Sequence, residues 1–263
     1  MNIADRVSVT IEDGVAHVVL DRADKLNALD DAMLDALIQA GQRLFETPQA
    51  RCVVLSGAGR GFCAGVDLPS LTDAGDEVRL TARTHGNANR AQQAAMVWRK
   101  LPVPVVAAIH GVCLGGGLQI ASGACIRICA ADARLAVLEM KWGLVPDMGG
   151  HVLWRGNVRD DILRELTYTH REFSGEEALG WGFVTCLDAH PLARARALAR
   201  DIAQKSPQAV RAAKSLANRR LDLTVDELLS AESHEQQRLI GTRNQREAVA
   251  AALARRPGAF GDP

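Results

Sequence analysis

Two stretches constrain the fold more than any others: RCVVLSGAG at residues 51–59 and PVPVVAAIHGVCLGGG at residues 102–117. Each is a short apolar run without polar alternation. That pattern reads as a short buried strand. Each run leaves through glycines toward a helical pattern, so a strand, glycine loop, helix unit occurs twice. The expected fold class is α/β.

The rest of the chain fits around these units. VSVTIEDGVAHVVLD (7–21) alternates and breaks at Asp13-Gly14, which predicts two strands joined by a tight turn. In DDAMLDALIQAGQRLFE (30–46), Met33, Leu34, Leu37, Ile38, Leu44 and Phe45 recur at helical spacing. A polar helical stretch runs through Trp98. CIRICA (125–130) and ARLAVLE (133–139) read as further strands, followed by the loop WGLVPDMGG (142–150) and short helical segments around Val152 to Tyr168. SGEEALGWG opens with a capping box, Ser174 followed by Glu177, and predicts a helix ending near Gly180. From about Pro191 the chain is rich in Ala, Arg, Leu, Glu and Gln at helical period without another strand. Its apolar stripes need a surface, on the main body or on a neighbouring subunit, and composition does not choose between them. The organisation expected is a core at 1–195 and a helical region at 196–263.

Composition narrows the function. The 263 residues are 48% apolar, ample for a core, and 31 basic side chains balance 31 acidic ones. No global field draws such a chain to nucleic acid or an anionic membrane, so any anionic ligand must be captured locally. The opening MNIADRVSVTIEDG has no secretory or transit pattern and no stretch approaches 18 apolar residues, so a cytoplasmic location is expected. Cys52, Cys63, Cys113, Cys125, Cys129 and Cys186 lie in apolar runs without CxxC spacing, which reads as small reduced core residues rather than zinc ligands or disulfides.

The glycine loops invite a nucleotide reading, which fails. In SGAGRGFCAG the glycines fall at 57, 59, 61 and 65, one position off GxGxxG, and no GxxxxGK[ST] occurs. Neither GxSxG nor HExxH is present, and His110 beside the glycine bend reads as structural. What remains is two glycine-rich strand exits able to present backbone N–H groups to one spot. Glycine permits positive φ and close approach, and a helix N-terminus adds partial positive charge. Two convergent donors make an oxyanion hole. Tight turns serving packing alone are the other reading of either loop taken singly.

LDRADKLNAL, VVLSGAGRGFCAGVDL, LPVPVVAAIHGVCLGGGL, EMKWGLVPDMGG and SGEEALGWGFVTCL, in this order, resemble the crotonase superfamily, the enoyl-CoA hydratase/isomerase group. The resemblance runs from about residue 7 to 220. It implies a crotonase-like spiral of repeated ββα units with a helical C-terminal region, assembled as a homotrimer or a dimer of trimers. It implies an acyl-CoA thioester substrate and neither metal nor redox cofactor, coenzyme A being part of the substrate. By position, the oxyanion hole would be the backbone N–H of Val66 and Gly116. CoA would lie along Arg22, Lys25, Leu26 and Ala28, with Ala64, Gly65, Asp67, Leu68 and Gly115 at the thioester end. Trp142 and His151 would stand near the acyl pocket, and Cys125 stands where many relatives have an acid.

Hydration of a conjugated double bond uses two glutamates in the resembling hydratases, at positions that fall here on Gln119 and Glu139. Only Glu139 ionises, so an amide at 119 is expected to weaken hydration; a general acid or base contributes about 10²- to 10⁴-fold. Double-bond migration needs less, since a carboxylate can take a proton from the α carbon and return it at the γ carbon. Asp147, eight residues after Glu139, falls where other members place a catalytic aspartate, although an Asp there could also cap the next helix. The sequence thus favours an isomerase using Glu139 and Asp147. An enoyl-CoA hydratase (a lyase) and a non-catalytic acyl-CoA-binding oligomer are the alternatives; a ClpP-type peptidase lacks a Ser/His pair.

Overall fold

The structure, a computed structural model, describes residues 1–69 and 80–262. Its main sheet has seven strands in the order β1 (Asn2–Ile3), β2 (Val7–Glu12), β3 (Val15–Leu20), β4 (Cys52–Gly57), β5 (Val105–Ile109), β7 (Ile126–Cys129) and β10 (Cys186–Leu187). A second sheet orders β6 (Val112–Leu114), β8 (Arg134–Ala136) and β9 (Phe173–Ser174). The opening hairpin is antiparallel and turns at Asp13-Gly14, whereas β3, β4, β5, β7 and β10 run parallel.

The apolar runs behave as two-sided burial requires. Every residue of β4 and β5 is buried. Val53, Leu55, Val105, Ala107 and Ile109 point into one core; Cys52, Val54, Val106 and Ala108 point into the other. The first core is covered by α1 (Asp31–Phe45), α2 (Arg90–Lys100) and α3 (Gly116–Ser122), the second by α7 (Pro191–Ala203), whose Ala195, Ala199 and Ala203 lie against the sheet. Between α3 and α7 come α4 (Gly150–Trp154), α5 (Asp160–Thr169) and α6 (Gly175–Trp181).

Local signals hold with small shifts. Asp30 caps α1 by accepting the Met33 N–H, and Phe45, at the last position of the helix, is exposed. The Ser174–Glu177 capping box forms, and α6 runs to Trp181 with Gly182 as its left-handed cap. Cys52, Cys63, Cys113 and Cys129 are buried free thiols; Cys125 is exposed, since it lies on the turn between α3 and β7 and not in the strand.

After α7 come α8 (Pro207–Arg219), α9 (Val225–Leu239) and α10 (Arg243–Leu253). The expected boundary at 195/196 falls inside α7, a sheet-covering helix. The structure therefore divides the tail: α7 and α8 serve the body, and α9 has no buried residue. A cavity of about 440 Å³ lies where α8 meets the α3–β7 turn, lined by Cys125, Arg127 and Lys214 among others. It contains none of Val66, Gly116, Glu139 or Asp147. Among the described residues no helix is long and apolar enough to cross a membrane.

Candidate active site

The glycine loops at the C-terminal ends of β4 and β5 meet. Residues 61–67 thread between two partners. On one side, Ala64 N–H donates to Leu26 O, Leu29 N–H to Gly65 O and Asp67 N–H to Leu29 O. On the other, Cys63 N–H donates to Val112 O and Leu114 N–H to Cys63 O. Gly65 closes the contact: its φ is +87°, and a Cβ there would stand 2.8 Å from Leu114 O. Gly115 has φ +50° and serves as N-cap of α3.

The next two glycines have another reason. Gly116 and Gly117 are helical, and no strain calls for glycine. A Cβ on Gly116 would lie 2.7 Å from Met148 Sδ and 2.8 Å from Leu29 Cδ1, and one on Gly117 would lie 2.7 Å from Cys63 Cβ. One glycine of the triplet bends the chain and two let neighbours approach.

This packing leaves two donors unused. The Val66 N–H makes no hydrogen bond among the described residues, since the bridge to Leu29 uses the groups of Gly65 and Asp67. Gly116 is the first residue of α3, where an N–H has no intrahelical acceptor, and none is supplied among the described residues.

Glu139 opens a 3-10 turn, Glu139–Trp142, with two residues between it and the end of β8. A Cβ placed on Gly115 would be 3.5 Å from Glu139 Oε1, so this carboxylate borders the glycine bend. Its Oε1 accepts from Gln119 Nε2 at 2.6 Å, while Oε2 is buried with no hydrogen-bond partner among the described residues. Burial pushes the Glu139 carboxyl above its ordinary range; backbone N–H groups and the Gln119 amide oppose this, and the charge of Asp147 adds to it. Burial raises the Asp147 carboxyl as well. Glu139 and Asp147 are thus two acids whose surroundings favour the protonated form, with the charge of Asp147 acting on Glu139. Asp147 does not cap α4: the N-cap is Gly149, without a side-chain acceptor, and the Gly150 N–H goes to Gln119 Oε1.

The remaining expected residues separate into two groups. Arg22 is engaged internally: Nη1 donates to Asp67 Oδ2 at 2.6 Å and to Ala28 O, and it pairs with Asp30. It locks the 22–28 turn to the segment carrying Val66. Lys25 is exposed and has no ion pair among the described residues. Ala28 is buried; Leu26 and Ala64 are half-buried; Leu68, 50% exposed, lies beyond them with Trp142, Leu144 and Val145 as exposed apolar groups. Lys141 stacks over Trp142 at 5.3 Å, and His151 meets Trp154 edge-on at 6.1 Å. His110 Nε2 bonds Gly59 O, a structural role.

Sequence reasoning missed Asn27. It is fully buried at φ +58°; its Oδ1 accepts the Arg22 N–H, and its Nδ2 is within 3.0 to 3.2 Å of Ala58 O, Gly61 O and Phe62 O. One amide thereby joins the 22–28 turn to the β4 exit. Asn is among the few residues that tolerate a left-handed conformation, and a lone Asn between Leu26 and Ala28 is the signal that could have flagged it.

Comparison with known proteins places the chain in a family. The chain is 35% identical over 256 residues to the mitochondrial Delta(3,5)-Delta(2,4)-dienoyl-CoA isomerase of Rattus norvegicus, covering 92% of this chain and 77% of that protein. It is 33% identical over 255 residues to the 1,2-epoxyphenylacetyl-CoA isomerase of Escherichia coli, covering 95% and 96%. The crystal structure of an enoyl-CoA hydratase from Bacillus anthracis superposes with a TM-score of 0.89 at 29% identity, covering 97% and 98%. The sequence model of enoyl-CoA hydratase/isomerase matches residues 10–263. Over nearly its whole length, therefore, the chain belongs to the enoyl-CoA hydratase/isomerase family.

Proposed function

We propose that the protein moves a carbon–carbon double bond in an acyl-CoA thioester. The observation that carries this is Glu139 Oε2, a buried carboxylate oxygen beside the glycine bend with no hydrogen-bond partner among the described residues. Removing a proton next to a thioester places negative charge on the carbonyl oxygen, and the N–H groups of Val66 and Gly116, without an acceptor among the described residues, would receive it. One preorganised donor of this kind is worth about 2.7–4 kcal/mol.

In the forward direction Glu139 accepts the α proton, the electron pair spreads over the dienolate, and a proton returns at the γ carbon. The substrate's C–H bond breaks, a new C–H bond forms two carbons away, and no atom is gained or lost. Asp147 is the second proton-transfer group at the distal carbon. No cofactor beyond the substrate's own CoA takes part. The exposed ammonium of Lys25 meets the anionic CoA portion, Arg22 holds the Leu26–Ala28 turn in shape, and Leu68 and Trp142 border the acyl chain. The isomerase names of relatives from rat and E. coli support this choice.

We further propose that the protein works as a homotrimer or a dimer of trimers, with α9 in the interface. That helix buries no residue and exposes Val225, Leu229 and, at its end, Ile240.

The test is turnover of 2-enoyl-, 3-enoyl- and dienoyl-CoA thioesters of varied length, with hydrated products identified by their added mass and isomerised products, equal in mass to the substrate, by chromatographic separation and ultraviolet absorbance. The expected result is isomerisation that exceeds hydration and is lost in Glu139→Gln. Hydration as the dominant reaction at a typical enzyme turnover of about 10 s⁻¹ would make this a hydratase; CoA-thioester binding without turnover of any substrate would leave the binding reading alone standing.

A further inference from the structure

We infer that Gln119 is a positioning residue for proton transfer, fixing which oxygen of Glu139 exchanges the proton and tying that oxygen to the segment that carries Asp147. The inference rests on Glu139 acting as the base.

Gln119 is 1% exposed, in α3, three residues after Gly116. Its Oε1 accepts the Met148 N–H and the Gly150 N–H, both at 2.9 Å. Two N–H donors can face only the oxygen of an amide, so the orientation of the side chain is decided by its surroundings, and Nε2 is left pointing at Glu139 Oε1. An amide nitrogen only donates. Glu139 Oε1 therefore stays an acceptor in both protonation states of the carboxyl, and the exchangeable proton resides on Oε2, the atom with no partner among the described residues.

The same side chain sets three parts of the site relative to one another. It stands on the helix that begins with the Gly116 donor, its nitrogen holds Glu139, and its oxygen holds the backbone immediately after Asp147. The polar residue at 119 is thus more than a missing acid. A carboxylate here could accept the same two backbone N–H groups, but its other oxygen would face Glu139 Oε1 at about the present 2.6 Å. Two carboxylate oxygens so close share a proton, and the pair releases it reluctantly. An amide keeps Glu139 free to ionise alone.

The experiment compares wild type, Gln119→Glu, Gln119→Met and Glu139→Gln in the pH profile of kcat/KM for isomerisation, with thermal unfolding as a fold control. In Gln119→Glu, which keeps both backbone acceptor bonds, the acidic limb should move up by about one pH unit or more, with activity recovering above it. Gln119→Met, lacking donor and acceptor, should lower the plateau at every pH without recovery. Carbon-13 titration of the Glu139 carboxyl, assigned by its loss in Glu139→Gln, reads the same shift without turnover. Full turnover in Glu139→Gln overturns the reading of Glu139 as base, and this inference with it. An inactive Glu139→Gln beside a Gln119→Glu protein whose profile and Glu139 titration match wild type overturns the positioning role alone.

Discussion

Asn27→Ala should weaken both the fold and the site, and the size of the effect follows from four contacts. The amide satisfies one backbone donor, at Arg22, and three carbonyls, at Ala58, Gly61 and Phe62. Each buried hydrogen bond contributes about 0.5–1.5 kcal/mol, and the two N–H groups of Nδ2 are shared among the three carbonyls, so losing the equivalent of three full bonds costs about 1.5–4.5 kcal/mol, less where water reaches the Ala58 carbonyl. Alanine also has to hold φ +58°, a conformation Asn accepts more readily. Since Phe62 lies four residues before Val66 on the segment threaded between 26–29 and 112–114, the loss should displace the Val66 donor too. A misplaced oxyanion donor costs about 10²- to 10³-fold in kcat.

Denaturant unfolding gives the first number and steady-state isomerisation the second. Asn27→Asp sharpens the test. It keeps the bond from Arg22 N–H but turns an oxygen toward three carbonyl oxygens, so burial raises the new carboxyl in the folded state. The folded protein then binds that proton more tightly than the unfolded chain does. Stability relative to wild type falls as pH rises above about 3.9, at about 1.4 kcal/mol per unit until the folded-state value is passed. Asn27→Asp should therefore lie nearest wild type in acid and below Asn27→Ala at neutral pH. If Asn27→Ala loses under 1 kcal/mol, about the worth of one such bond, and keeps a wild-type kcat, the argument that this amide joins the two loops is refuted.

Two further outcomes follow from the same geometry. Burial raises the Glu139 carboxyl above 4.5, so the folded state holds its proton more tightly; stability falls as pH rises from the ordinary value through the raised one, and Glu139→Gln should gain on wild type in thermal unfolding across that window while turnover drops about 10²- to 10⁴-fold. A pH-independent difference in melting temperature would contradict the raised value. Gly65→Ala places a Cβ 2.8 Å from Leu114 O at φ +87°, so it should cost about 1–3 kcal/mol and reduce kcat more than Gly86→Ala, where φ is +68° and nothing lies within 4 Å; equal kinetics for the pair would show that the Gly65–Leu114 contact does not hold the Val66 donor.

The fold was legible because its signals are local or periodic. The runs 52–57 and 105–109 announce buried strands, Asp13-Gly14 announces the hairpin, and Ser174 with Glu177 announces a helix start. Each of these patterns is decided by residues within a few positions of one another. Phe45 and Cys125 went astray because an apolar residue at the end of an element has the right period but no neighbour to bury it. The place of α7 was hidden for a related reason: Ala195, Ala199 and Ala203 form so small a stripe that only the flat face of β4, β5 and β7 shows what it is for.

The site was legible as backbone and opaque as side chain. Glycine identity carries information about the main chain at its own position, so Gly65 and Gly115 could be read as bends before any contact was known. A side-chain amide carries no such information. Whether Gln119 is a vacancy left by an acid or a part in its own right depends on Met148, Gly150 and Glu139, which lie 29, 31 and 20 residues away. Asn27 depends likewise on carbonyls 31 to 35 residues along the chain. Both amides use a carbonyl oxygen to collect backbone N–H groups and an NH₂ to serve acceptors, a division no carboxylate can perform because it only accepts when ionised. Arg22 follows the same logic in reverse, its charge absorbed by Asp67 and Asp30 at long range. Neutral amides inside the site thus organise loops without adding charge beside Glu139, which leaves the proton affinity of that one carboxylate to be set chiefly by burial.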